Sequence, residues 1–261
     1  VAALGLAVML TATTVALAAS PSLGAVRPIG GQRGSETVFN LTGARLADAK
    51  ELLFAEPGFS VTKLEVVNDG HVKATVKIAP DCRLGLHDVR LRTATGISEL
   101  RTLSVGPFPS VDEKEPNSDF VAPQPIALNV SVHGVVESED VDNYVVEAKK
   151  GERITAEIEG FRAGITTFDP YVAILDTKRF ELSSSDDSAL VYQDGYASIV
   201  APADGKYVVQ VRDSAYQGNG SCVYRLHVGT VPRPTATVPA GGKMGEPIDV
   251  KWLGDVLGDR V

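Results

Sequence analysis

A glycine-rich segment near the start of the chain recurs near its end. Residues 28–34 read PIGGQRG and residues 239–245 read PAGGKMG, and both continue without a gap into strand-like text, TVFNL at 37–41 and IDVKW at 248–252. A proline, a glycine-rich turn and a strand that ends at glycine can open an immunoglobulin-like β-sandwich. We therefore predict two copies of one module, the first over 26–107 and the truncated start of a second over 238–261.

Apolar and polar residues alternate through most of the remaining sequence. Val72, Ala74, Val76 and Ile78 share one face of a predicted strand, and 207–211 shows the same pattern. Apolar residues make up 44% of the chain, enough for packed cores. One or two helical turns are expected only over 45–53. The predicted fold class is all-β, with β-sandwiches in tandem.

The segment GPFP at 106–109 predicts a boundary, because prolines stiffen a linker and remove backbone donors that a strand needs. Before it, the sequence of a predicted hairpin at 85–98 resembles the corresponding hairpin of IPT/TIG-type immunoglobulin-like domains. After it, a second module is predicted over 113–230. Cys82 and Cys222 fall in different modules, so we expect no bond between them.

The first residues are apolar or small and uncharged up to Ala19, and Ala16, Leu17 and Ala18 have the small-residue spacing that a signal peptidase needs. We interpret residues 1–25 as the remnant of a signal peptide, with an N-terminal membrane anchor as the alternative. The chain does not begin with Met, so we interpret it as part of a longer gene product. No later stretch has the length of a membrane span, and the expected location is secreted, periplasmic or at a bacterial cell surface.

The formal net charge is −8, and no cluster of Lys and Arg is interleaved with aromatic residues. A nucleic-acid backbone would therefore find no basic surface to bind. An acidic surface suits an exported protein or one that collects cations.

The central module resembles a known family. In order along the chain it contains the segments EKEPNSD at 113–119, DVDNY at 140–144, DPYV at 169–172, DD at 186–187 and ADGKYVVQV at 203–211. In this order they are similar to the bacterial pre-peptidase C-terminal (PPC) family, which includes the collagen-binding modules of clostridial collagenases. Two positions depart from the family pattern: Arg179 replaces a usual glycine, and Ser118 stands where Asp is common. The resemblance implies a jelly-roll-like β-sandwich with a structural calcium site.

The acidic residues of this module suggest the same site without the family. In an extended segment Glu113, Glu115 and Asn117 point to one side, and Asp140 and Asp142 do so on a second segment. Together they would offer five oxygen-bearing side chains to Ca²⁺, which takes six to eight oxygen ligands. Asp119 is a sixth candidate, in place of the weak ligand Ser118. The alternative is a solvated acidic linker followed by an ordinary Asp turn.

Catalytic motifs are missing from the sequence. The four histidines stand singly, no HExxH or GxSxG motif occurs, and the repeated glycines precede a strand and not a phosphate-binding helix. The chain is therefore predicted to be a non-catalytic array of binding or spacer modules, with an extracellular protein or polysaccharide and further domains of the same polypeptide as partners. The alternative is an accessory region of an exported peptidase or other hydrolase. A module with its own enzymatic activity ranks last.

Overall fold

A computed structural model describes residues 19–163, 168–188 and 190–259. Strands dominate these residues, and their one helical element is a short 3-10 turn, Phe161–Ala163. The all-β prediction is confirmed. No helix among the described residues has the length and hydrophobicity of a membrane crossing. Most of the predicted signal segment lies outside the described residues.

The first sandwich packs two four-stranded sheets around one core. The first sheet has the order β1–β3–β6–β5, with β1 Ser22–Arg27, β3 Glu36–Ala44, β5 Phe59–Asn68 and β6 His71–Ile78. The second has the order β2–β8–β7–β4, with β2 Gly30–Gln32, β4 Ala49–Phe54, β7 Gly85–Thr93 and β8 Arg101–Gly106. Alternation places Phe39 and Leu41 of β3 in the core between the sheets.

The second sandwich packs two five-stranded sheets. One sheet has the order β10–β12–β17–β14–β15, with β10 Gln124–Pro125, β12 Val141–Ala148, β14 Pro170–Asp176, β15 Glu181–Ser185 and β17 Gly205–Asp213. The other has the order β16–β13–β18–β11–β9, with β9 Ser110–Asp112, β11 Val130–Val135, β13 Arg153–Glu159, β16 Tyr196–Val200 and β18 Val223–Gly229. Tyr207, Val209 and Val211 of β17 face Tyr224, Leu226 and Val228 of β18 across the core.

A short C-terminal hairpin joins β19 (Ala236–Val238) to β20 (Lys251–Leu253). Its strands pair Thr237 with Trp252 and Val238 with Lys251. In the aligned repeat these correspond to the pairs Val26↔Leu41 and Arg27↔Asn40 of β1 and β3. The turn glycine of each copy, Gly34 or Gly245, has a positive φ, 79° and 83°. The hairpin thus has the register that a second copy requires. That a second module starts here stays a prediction.

The structure shifts three sequence-based boundaries. β1 begins at Ser22 and buries Leu23, so the last residues of the predicted signal segment belong to the first sandwich. β9 pairs with β11, so the second sandwich begins at Ser110, ahead of the predicted Glu113. The helical turns expected over 45–53 are wrong in their second half, because β4 pairs there with β7. Cross-strand pairing overrides the local helix preference.

The cysteines provide a test of the division into two sandwiches. Cys82 is buried in the first core and Cys222 in the second, and both are free. We expect mass spectrometry of the unreduced protein to find both residues unlinked. A peptide that joins Cys82 to Cys222 would contradict the division.

Candidate metal centre

The candidate ligands lie on a linker segment that crosses one end of the second sandwich. After β9 the Glu113 amide donates to the His133 carbonyl (2.9 Å). The Asn143 side chain, on β12, donates to the carbonyls of Asn117 (3.3 Å) and Ser118 (3.2 Å). Gln124 accepts from the Lys114 amide (2.8 Å). These contacts tie the segment to the sandwich, because its own backbone groups have no strand partner there.

Three carboxyl groups converge where the segment meets β12. Glu113, Glu115 and Asp142 each offer one oxygen, and these oxygens lie within 4.8 Å of one another. Asp142 is fully buried, Glu113 is partly buried and Glu115 is exposed. Asn117 is buried beside Glu113, to which its amide group donates (3.2 Å). The Oδ1 atoms of Asn117 and Asp142 are buried and have no hydrogen-bond donor among the residues that the structure describes.

Two buried tyrosines close the site from the core side. Glu113 Oε1 accepts from Tyr144 (2.8 Å) and Tyr224 (3.0 Å), and Asp142 Oδ2 accepts from Tyr224 (2.7 Å). The two hydroxyl oxygens are 2.5 Å apart. Two phenol protons cannot serve all four of these contacts at once. A further proton on one of the carboxyl groups would serve a third one of these contacts.

Asp142 is the group that holds this proton. Burial, and then the charge of Glu113, raise the pKa of Asp142 to about 10. Burial also raises the pKa of Glu115, and it raises the pKa values of Tyr144 and Tyr224 well above the ordinary tyrosine value. At neutral pH the cation-free site therefore contains a neutral Asp142. A bound divalent cation would displace the proton, because metal ligands bind in their deprotonated form.

The remaining predicted ligands are placed differently. Asp140 accepts from the Ser118 hydroxyl (2.8 Å) and from the Glu137 amide (3.3 Å), so it orders the loop before β12. Asp119 is exposed and accepts from the Val121 amide (3.0 Å) within its own turn. Neither residue belongs to the group of three converging carboxylates.

Sequence reasoning missed the groups that support the carboxylates. Tyr144 stands within the DVDNY segment and Tyr224 on an alternating strand, and these patterns indicate only core residues. No sequence pattern indicates that Asn143 and Gln124 bind the linker segment. A tyrosine two positions after a candidate ligand on a strand points to the same face, which is the one local hint.

A line of Cys82, His87 and Glu56 in the first sandwich resembles a catalytic triad. His87 Nδ1 lies 3.1 Å from Glu56, but its Nε2 lies 2.7 Å from the Arg83 carbonyl and 4.0 Å from the Cys82 sulfur. The ring nitrogen that would activate the thiol is thus held by a backbone oxygen. Burial raises the pKa of the Cys82 thiol, which lowers the fraction of nucleophilic thiolate. This arrangement gives no support for catalysis.

Comparisons with known proteins give likenesses in structure. No family model and no curated protein matches the chain. The PPC domain of a collagenase from Bacillus anthracis is 15% identical, covers 44% of this chain and 99% of its own, and has a TM-score of 0.32. The periplasmic g-type lysozyme inhibitor PliG from Aeromonas hydrophila is 18% identical over 46% of this chain and 98% of its own (TM-score 0.30). The SGBP-B protein of a Bacteroides ovatus mixed-linkage glucan utilization locus is 8% identical over 76% and 71% (TM-score 0.25).

The first of these solved structures belongs to the family that the central sequence motifs resemble.

Proposed function

We propose that this chain is a non-catalytic array of secreted or cell-surface binding and spacer modules whose second sandwich is stabilised by Ca²⁺. The observation that supports the cation is the convergence of Glu113, Glu115 and Asp142 next to the unpartnered buried oxygen of Asn117. All of these donors are oxygens, which suit Ca²⁺ and Mg²⁺ and do not suit metals that prefer sulfur or imidazole ligands. Ca²⁺ fits better, because Mg²⁺ keeps several waters and a strict octahedron.

In this proposal Glu113, Glu115, Asn117 and Asp142 hold the cation. Asp140 sits in the adjoining loop, and Tyr144 and Tyr224 orient the two inner carboxylates. The cation supplies the positive charge that lets Asp142 ionise beside Glu113. Because Glu113 and Glu115 lie on the linker and Asp142 lies on β12, a cation bound by all three would join the linker to the sandwich.

The extracellular partner would be a protein or a polysaccharide. The outer surface of the second sandwich offers one preformed contact surface, where Arg212 stacks on Tyr171 (3.9 Å to the ring centre) and on Tyr216 (4.3 Å). Arg212 is further fixed by its bonds to the carbonyls of Asp213 and Ser214, each 3.0 Å. Rigid aromatic and arginine groups are typical anchors of binding surfaces.

Thermal unfolding of the whole chain tests the cation proposal. We expect millimolar Ca²⁺ to raise the midpoint of the transition that unfolds the second sandwich, and Mg²⁺ to raise it clearly less. Ligand binding stabilises the folded state by about 2.7 kcal/mol at a concentration a hundredfold above Kd. Equal midpoints in Ca²⁺ and in chelator would show that the acidic residues form only a solvated linker and turn.

A further inference from the structure

The repeated glycine segment has a structural role that the proposed function does not use. Its first copy forms β2, which pairs in parallel with β8 along Gly30↔Ser104 and Gly31↔Val105. The side chain of Arg225, on β18 of the second sandwich, packs against these two strands of the first. Since side chains alternate along β18, Tyr224 and Leu226 enter the core of their own sandwich and Arg225 projects from the opposite face.

Arg225 is fully buried, and its hydrogen-bond acceptors among the described residues belong to the first sandwich. Its Nη1 donates to the Ser104 carbonyl (2.8 Å) and hydroxyl (3.2 Å), and its Nη2 donates to the Gly31 carbonyl (3.0 Å). The planar guanidinium of arginine can donate to backbone acceptors on two neighbouring strands at once. The single ammonium group of lysine lacks this fixed arrangement of donors. We call the pocket formed by Gly30, Gly31, Ser104 and Gly106 the arginine socket.

Arg225 limits the space for a side chain at Gly30 and Gly106, whereas at Gly31 that space is limited by Ile78 and Thr37 of the same sandwich, both 2.7 Å from a Cβ. A Cβ at Gly30 would lie 2.8 Å from Arg225 Nη1, and it would also meet the Ser104 carbonyl at 2.2 Å. The three atoms nearest to a Cβ at Gly106 all belong to the Arg225 guanidinium, at 3.0 to 3.3 Å. Glycine at position 106 therefore leaves room for Arg225 of the other sandwich. No atom of its own sandwich would lie closer to a Cβ there than the guanidinium does.

The socket is enclosed by further contacts between the two sandwiches. Ile29 and Val223 are buried in a small apolar cluster, and Thr102 donates to the Ala163 carbonyl (2.8 Å). Burial lowers the pKa of Arg225, and the charge of Glu159 opposes that shift. Removing only one partner of a buried, hydrogen-bonded charge of this kind strongly destabilises the folded protein.

We propose that the repeated glycine segment is a docking element, which forms with β8 of its own sandwich a socket for an arginine of the sandwich that follows. The partner it fits is a sandwich of the central type, which carries an arginine on the outer face of its β18 strand. Arg225 occupies the arginine socket of the first copy. Gly241 and Gly242 take the positions of Gly30 and Gly31 in the second copy, and both are exposed here. The second copy thus marks another joint of the same kind.

The experiment compares the whole chain with two variants. Gly106→Ala fills the socket from the first sandwich, and Arg225→Met removes the guanidinium and keeps an apolar side chain of similar length. We expect hydrogen exchange of the amides in 104–112 to accelerate about tenfold or more in Arg225→Met, because the joint opens more often. Gly106→Ala should accelerate it measurably but less, since a Cβ 3.0 Å from Arg225 Nη2 requires only a small shift of the guanidinium. Small-angle scattering should show a broader distribution of distances, with an unchanged far-UV circular dichroism spectrum.

The matched control is Gly241→Ala, at the position that corresponds to Gly30. No atom lies within 4 Å of a Cβ there, so exchange and scattering should equal those of the wild type. If Arg225→Met fails to fold, Gly106→Ala alone decides. Wild-type exchange and scattering in Gly106→Ala would overturn the proposal, and so would an equal effect of Gly241→Ala. Calcium binding is not involved in these outcomes, so they are independent of the proposed function.

Discussion

Asp142→Asn is expected to abolish the stabilisation by Ca²⁺ and to leave the cation-free protein at least as stable as the wild type. The introduced carboxamide would imitate the neutral carboxyl group that Asp142 has at neutral pH, where its pKa is raised to about 10. The carboxamide oxygen can accept from Tyr224, and the carboxamide nitrogen can donate toward Glu113. The variant loses the one buried carboxylate among the three converging groups.

Comparison with Asp142→Ala separates two effects on stability: the loss of the bound cation and the loss of hydrogen bonds between the carboxyl groups and the tyrosines. The variant removes the nearer of two carboxyl acceptors of the Tyr224 hydroxyl, at 2.7 Å against 3.0 Å for Glu113. One hydrogen bond contributes about 0.5–1.5 kcal/mol net, so this variant should unfold earlier even in chelator. The midpoints of both variants in Ca²⁺, Mg²⁺ and chelator measure the two effects.

Glu147→Gln is the matched control, since Glu147 is an exposed acid on the same strand, β12. It should keep the full response to Ca²⁺. A wild-type calcium response in Asp142→Asn would contradict the assignment of Asp142 as a ligand.

In chelator, the free energy of unfolding is expected to fall as the pH rises from 7 to 9. Asp142 has a folded-state pKa of about 10, far above its ordinary value of 3.8. Between these values the folded chain keeps a proton that the unfolded chain releases. Its contribution to stability is fully present below about pH 4 and is lost as the pH rises through the folded pKa. The slope should reach about 1.4 kcal/mol per pH unit for one proton.

The buried Cys82 thiol, whose pKa burial raises above its ordinary value of 9.0, adds to the fall near pH 9 in the wild type and in Asp142→Asn alike. Two other shifted buried groups titrate below this window. The pKa of His133 is lowered to about 3, since burial disfavours its charge, so its effect on stability falls below pH 6.5. Burial raises the pKa of Glu159, but the charge and hydrogen bond of His227, the charge of Arg225 and the hydrogen bond of Ser104 together outweigh that effect and lower the pKa to about 2. Glu159 therefore affects stability only in acid.

Denaturant titrations at pH 7, 8 and 9 give the slope, and Asp142→Asn is the reference that should lack the part of the slope due to Asp142. In excess Ca²⁺ the apparent affinity should instead increase with pH, because the cation binds the deprotonated site. Equal slopes in the wild type and in Asp142→Asn would show that Asp142 is already ionised in the folded protein.

The sequence alone determined the fold class and the candidate carboxylates. Strand alternation is a local property with a period of two residues, so the buried faces of β3, β6, β17 and β18 could be predicted from consecutive residues. The same rule put Glu113, Glu115 and Asn117 on one side of an extended segment. It could not say which acids converge. Asp140 and Asp119 fit the pattern as well as Asp142 does, but Asp140 bonds to Ser118 of the linker and to Glu137, and Asp119 bonds within its own turn.

The surroundings of the acids and the role of the glycine repeat depend on contacts between distant strands. Tyr224 and Glu113 are 111 residues apart in the chain, and Arg225 and Gly31 are 194 residues apart. Such contacts depend on which strands become neighbours, and a local pattern specifies only which face of each strand is buried. Adjacent residues of β18 therefore perform different tasks: Tyr224 supports the carboxylates inside the sandwich, and Arg225 contacts the first sandwich from the opposite face. Alternation predicted that the two would point apart, and the packing of the two sandwiches determined what each one meets.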